Sequence, residues 1–194
     1  YYSSNIMKVA LISNLPIEQM EQKAKTYFAD IENKHIEKPT VTAELDFDKA
    51  GGKKVYYSPN EDVKQLQLEF TINNNSSDFA VKPNRYVSYL LSNEMPGSPA
   101  QLLRDKGWVS QLTASPSPSQ YGNYGALTIS LELTDEGMKN RETIVATIMQ
   151  YIELIKKEGV DAKYFNEIRT SLSNQFKFLE KGDEFSYVSS LTGS

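Results

Sequence analysis

Two stretches of strict alternation constrain how this chain can fold. Leu66, Leu68, Phe70 and Ile72 alternate with Gln65, Gln67, Glu69 and Thr71, and Leu127, Ile129, Leu131 and Leu133 alternate with Thr128, Ser130, Glu132 and Thr134. A strand turns successive side chains to opposite faces, so each stretch presents one apolar and one polar face. Such strands belong to an antiparallel sheet covered on one side only. The cover comes from the C-terminal part. Ile144, Ile148, Ile152 and Ile155, flanked by Val145 and Met149, form one helical stripe that Thr134 caps, with Asp135 and Glu136 near its positive end, and Gly159 terminates it. Asp161 caps a second helix in which Phe165, Ile168, Leu172 and Phe176 face inward. Two such helices lie across the apolar sheet face, and the fold class is α+β: a mainly antiparallel sheet with helices packed on one face.

Between the two strands the punctuation is dense. Pro83 precedes a helix over Arg85 to Leu91 with Tyr86, Val87, Leu90 and Leu91 as its apolar side. Met95-Pro96-Gly97-Ser98-Pro99 is a turn in which Pro96 sets φ and Gly97 permits a positive one. Ser98, Pro99 and Gln101 have capping-box spacing with proline in the first helical turn. The short helix that follows has Leu102 and Leu103 on its apolar side and Gly107 at its C-terminal cap, with Trp108 next. Val109 to Ser115 reads as a strand that dissolves into Pro116-Ser117-Pro118-Ser119.

The N-terminal part reads as strand, turn and helix. Met7-Lys8-Val9-Ala10-Leu11-Ile12 is a buried strand by composition, and Asn14-Leu15-Pro16 starts a helix with Ile17, Met20, Ala24, Tyr27, Phe28 and Ile31 on one buried face. Asn33 to Lys54 is a charged surface connection with one extended piece at Thr40 to Leu45, after which a sheet resumes at Val55-Tyr56-Tyr57. The 194 residues, 39% hydrophobic and 24% charged, suit one soluble domain over 1–194, cut from a longer chain, with 180–194 as the truncated start of a following helix.

Composition excludes several functions. A net charge of −4 offers no basic field for nucleic acid, and Lys53-Lys54 and Lys156-Lys157 are solvated faces. No membrane span is present in the sequence pattern. With no cysteine and one histidine, neither a thiol enzyme nor an intact zinc site can be assembled, and His35 in the charged connector reads as a solvent-exposed spacer, not as the base of a histidine-assisted serine enzyme. Asp135 with Glu136 and Glu61 with Asp62 read as helix-start and loop charges. Gly122-Asn123-Tyr124-Gly125 precedes a strand and makes a turn, not a phosphate loop. Tyr56, Tyr57, Tyr121 and Tyr124 suit half-buried core as well as ligand contact.

Several separated motifs carry a resemblance. Leu90-Leu91-Ser92-Asn93-Glu94-Met95-Pro96-Gly97-Ser98, Leu102-Leu103-Arg104-Asp105-Lys106-Gly107-Trp108-Val109 and Leu131-Glu132-Leu133-Thr134-Asp135-Glu136-Gly137 resemble the second domain of pitrilysin/insulinase-type zinc metallopeptidases. The opening Tyr1-Tyr2-Ser3-Ser4-Asn5-Ile6-Met7-Lys8, leading to Ser13-Asn14-Leu15-Pro16, is similar to the start of that domain. The resemblance implies a non-catalytic domain packed beside a first domain that carries the inverted zinc motif. Zinc would then belong to the full-length parent, none of it to this fragment, which alone is expected to be inactive. It implies a peptide substrate and the remaining parent domains as partners, and a periplasmic location, as in Gram-negative relatives.

The resemblance also implies a secondary peptide-holding site away from the metal, over Ser92, Asn93, Glu94 and Gly97 and the strand residues Leu112, Thr113, Ala114 and Ser115. A strand edge offers unpaired amides and carbonyls to an extended peptide. In the same segment Leu112 reads equally as a core side chain and Gly97 as a simple turn former. The glycine pair of the insulinase pattern is replaced here by Thr113-Ala114-Ser115, which removes the close backbone approach glycine allows. The other implied function is that of a domain in a metal-free relative serving as a binding or assembly subunit, with a free-standing peptide-binding module as a third.

Overall fold

The computed structural model describes residues 2–43, 46, 49 and 51–193, and the chain divides into two compact units. The larger, Val41–Asn174, contains the sheet. Its strands are β1 (Gln65–Asn73), β2 (Val109–Gln120) and β3 (Tyr124–Leu133), in the order β1-β3-β2 with both pairings antiparallel. Leu131 lies between Leu66 and Leu112, and Ile129 between Leu68 and Ala114. The apolar residues of all three strands therefore share one face, as the alternation predicts. Helix α2 (Pro83–Ser92), α3 (Pro99–Asp105), α4 (Asp135–Lys139) and α5 (Arg141–Glu158) belong to the same unit, as does most of α6 (Ala162–Lys177). Leu91, Leu103, Ile144 and Ile148 from the helices are fully buried with Ile129 and Leu131 of the sheet. Among the described residues no helix is long and apolar enough to cross a membrane.

The local signals around α3 act as read. Ser98 Oγ accepts from the Gln101 amide at 3.1 Å, and Pro99 occupies the first turn. Gly107 has φ of 68°, its N–H bonds Arg104 O at 2.8 Å, and the Trp108 N–H bonds Leu103 O at 3.1 Å, the paired closure of a Schellman cap. Only half of the predicted apolar side is used, since Leu103 is buried and Leu102 is exposed.

This closure joins two of the sequence motifs. Thr134 Oγ1 donates to Gly107 O at 2.7 Å and accepts from the Gly137 N–H at 3.0 Å, so one hydroxyl fastens the cap of α3 to the start of α4. Gly137 lies directly against the Trp108 carbonyl, where a Cβ would come within 1.8 Å of the oxygen.

Several expectations are corrected. β2 does not dissolve at Pro116. It continues through Pro116 and Pro118 to Gln120, with register shifts after Val109 and after Ser117. Proline removes one amide donor, which an edge strand can spare on its outer side. The single helix expected from Asp135 to Glu158 is broken at Asn140. The side chain of Asn140 bonds back to the Glu136 carbonyl at 2.9 Å and competes with the helical backbone. In α6 Ile168 is buried and Asp161 Oδ1 accepts from the Lys163 amide at 2.7 Å, but Phe165 and Phe176 are exposed. No sheet resumes at Val55-Tyr56-Tyr57; Val55 is 82% exposed. Tyr121 is exposed as well, in the β2–β3 turn. Thr40 to Ala43 forms no strand, and Glu44 and Leu45 lie outside the described residues.

The smaller unit comprises Tyr1–Thr40 with Gln175–Ser194 and contains α1 (Ile17–Phe28) and α7 (Glu184–Gly193). Ser3 is fully buried, and its hydroxyl accepts from the Lys34 amide at 2.8 Å, while Asn5 Nδ2 donates to Ile36 O at 2.8 Å. Met7 to Ile12 is not a strand, and Met7 and Ile12 are 40% and 45% exposed. A strand needs a neighbour's ladder, and apolar composition alone does not supply one. α1 forms where expected, yet Ile17 and Tyr27 are exposed and only Met20, Ala24 and Ile31 of its apolar face are half-buried.

Candidate functional site

β2 is an edge strand, and its outer side can be deduced from the ladder. The Leu133 N–H bonds Lys64 O on the β1 side at 2.7 Å, and the Thr134 N–H bonds Trp108 O on the β2 side at 3.1 Å. By the antiparallel alternation, Ser130 and Thr128 bond to β2 through Thr113 and Ser115. Leu112 and Ala114 therefore aim their backbone groups outward, and so does Pro116, which has no N–H to offer. The Ala114 amide confirms this direction, because it donates to Ser92 Oγ at 2.8 Å.

Ser92 ends α2. Asn93 closes the helix by donating its N–H to Tyr89 O at 3.0 Å and leaves it in extended conformation. The turn then reverses the chain with the Ser98 amide on Met95 O at 3.0 Å, Pro96 and Gly97 in its centre and Gly97 at φ 89°. These are the residues and angles of a type II turn. Glu94 forms an ion pair with Arg104, whose Nη2 also donates to Ser110 O at 3.1 Å in the β2 irregularity. Nearby, the Tyr89 hydroxyl donates to Glu167 Oε2 at 3.1 Å, and burial first, then that carboxylate, hold the phenol above its ordinary pKa.

The predicted site residues do not share one surface. Ser92 and Ala114 meet directly. Leu112 is 7% exposed and packs in the core, so its side chain is structural and only its backbone faces the edge. Thr113 and Ser115 are exposed on the opposite, polar face, beside Ser130 and Thr128. Gly97 stands in open space at the turn. Sequence reasoning missed the Ser92–Ala114 bond and the Arg104 bridge, since both join segments that only the tertiary fold brings together. The proline pair fits an edge strand, but only the sheet order distinguishes that from the end of a strand.

The donor set does not fit zinc. His35, the only histidine, is exposed in the smaller unit, and its backbone amide donates to Asn33 Oδ1 at 2.9 Å. No group of three or more His, Cys, Asp or Glu among the described residues could hold a metal. Asp135 and Asp62 both pair with Lys64, at 3.1 and 3.0 Å, and Glu136 pairs with Lys139 at 3.1 Å. These carboxylates serve helix starts and loops. Tyr121 and Gly122, with φ of 54° and 86°, make the turn between β2 and β3.

Residues 1–172 match the family described as the peptidase M16 inactive domain. The chain belongs to this family. It is 35% identical over 188 residues to Protease 3 of Escherichia coli K12, covering 97% of this chain and 20% of that protein. It is 31% identical over 181 residues to the insulin-degrading enzyme of Drosophila melanogaster, covering 93% and 18%. The M16 inactive domain thus spans about a fifth of the relatives it matches, 20% and 18% of their lengths. Its structure superposes on the crystal structure of pitrilysin with a TM-score of 0.86 at 34% identity, over 93% of this chain and 19% of that one. A protease from Helicobacter pylori shares the fold at a TM-score of 0.57 and 16% identity, over 84% and 38%. An α+β M16 domain with one imidazole and no thiol is in keeping with the inactive role in the family's description.

Proposed function

We propose that this chain is the substrate-holding, non-catalytic domain of a zinc-dependent endopeptidase that acts on peptides and small proteins. The zinc and its ligands lie in another part of the parent chain, the remaining domains are its partners, and kinship with Protease 3 favours a periplasmic parent. The observation that carries the reading is the bond between Ser92 Oγ and the Ala114 N–H. It marks an outward donor on an edge strand and fills it with an oxygen placed as the carbonyl of an added strand would be. An extended peptide that displaces the hydroxyl gains a backbone acceptor and donor at Leu112 and Ala114 regardless of its side chains. The opposite sheet face, with Gln65, Gln67, Thr113 and Ser115 exposed, offers a polar wall to a chamber. Holding one part of a substrate reduces the freedom still to be lost at a distant reacting centre.

Two measurements test the reading. Ser92→Ala leaves the Ala114 donor open, so an extended peptide is expected to bind the variant about fivefold more tightly, the worth of one hydrogen bond not displaced. Amide shifts should centre on Leu112 to Ser115, and shifts confined to distant residues or weaker binding by the variant would refute an edge site. Purified chain with added zinc is expected to show no peptide hydrolysis, and robust chelator-sensitive cleavage would overturn the non-catalytic assignment.

A further inference from the structure

Where β2 reaches its prolines, a cavity of about 270 Å³ opens between the strand and the start of α2. Phe79, Pro83, Pro116 and Pro118 give it an apolar lining, and Lys82 and Arg85 stand on its rim. Phe79 is 74% exposed, so much of its ring is open to solvent at the cavity. The rim charges differ in state. Lys82 donates its ammonium to the Phe79 carbonyl, whereas the Arg85 guanidinium has no ion-pair or hydrogen-bond partner among the described residues. Asp78, also on the rim, leaves a net positive charge of one across the three groups.

We propose that this cavity is a second anchoring point for the peptide held on β2, and that it selects an apolar side chain next to a carboxylate. The inference rests on the edge reading above and extends it. A peptide laid along the outer side of β2 can pair with Leu112 and Ala114, but Pro116 and Pro118 supply no N–H, so the ladder loses its donors there. Beyond that point affinity must come from side chains. The first apolar residue past the ladder enters the space lined by Phe79, Pro83, Pro116 and Pro118, and an adjacent carboxylate meets the planar fork of Arg85. An internal Glu or Asp and a free C-terminus present the same carboxylate chemistry.

Three peptides separate the possibilities: acetyl-Thr-Val-Thr-Leu-Glu-amide, the same sequence with Gln for Glu, and acetyl-Thr-Val-Thr-Leu with a free C-terminus. Calorimetric titration into the whole chain is expected to favour the Glu or the free-carboxyl peptide over the Gln peptide by about fivefold, as for an exposed ion pair. Whichever of the two carries the preference names the source of the carboxylate. Arg85→Gln should abolish the preference while Phe79→Ala weakens all three peptides. Equal affinities in the unaltered chain, or a preference that survives Arg85→Gln, would overturn the proposal. Amide shifts at Leu112 to Ser115 with none at Phe79 or Arg85 would leave the edge site standing and remove this one. Shifts at the cavity alone would do the reverse, and an absence of binding by all three would remove both.

Discussion

Gly137→Ala is expected to lower the stability of this M16 domain by about 3 kcal/mol, the upper range for forcing extra atoms into a packed site. The added Cβ would stand 1.8 Å from the Trp108 carbonyl oxygen and 2.8 Å from its carbon, and both are backbone. No rotamer change relieves such a contact. Relief requires separating the start of α4 from the start of β2, which stretches the Thr134 Oγ1 bonds to Gly107 O at 2.7 Å and to the Gly137 N–H at 3.0 Å. The same displacement pulls on the Thr134 N–H···O bond to Trp108. A shift of the denaturant midpoint measures the effect. Gly182→Ala is the control, because a Cβ there meets nothing within 4 Å and its φ is not positive. It should stay within about 0.5 kcal/mol of the unaltered chain. Equal stability of the two variants would show that the contact between Trp108 and α4 is not held in solution.

Leu131→Ala should cost about 3 kcal/mol, within the range for emptying a closed core position. Leu131 is fully buried on the central strand, flanked in register by Leu66 on β1 and Leu112 on β2, and it packs in the same cluster as Leu91, Ile144 and Ile148. With neighbours on both sides and helices above, the site cannot collapse easily. Leu102→Ala removes the same atoms from a residue 45% exposed on α3 and should cost less than about 1 kcal/mol. Similar losses for the two substitutions would contradict the sheet order and the placing of the helices over it.

How much of this was legible beforehand depended on the range of the interaction involved. The α3 cap was readable from Gly107 and Ser98 because a left-handed residue and a side-chain cap act within a few positions. The buried face of β1 and β3 was readable because alternation is local to each strand. The course of β2 was not, since Pro116 and Pro118 are breakers inside a sheet but tolerable at an edge, and only the sheet order shows which applies. The candidate site was legible as a region but not as a constellation. Ser92 and Ala114 were both named, yet the bond between them, the Glu94–Arg104 pair and the core position of Leu112 depend on how α2, α3 and β2 meet.

The sequence alone determined the class of the fold, the caps and turns around α3, and an inventory of one imidazole and no thiol, too few to supply the histidine pair of a zinc centre. These follow from residue chemistry and short-range geometry. The tertiary structure decided which apolar segments find a partner: Leu131 does, whereas Ile17 and Val55 remain largely in contact with water. Burial and ladder pairing are properties of two segments together, and hydropathy records the preference of only one.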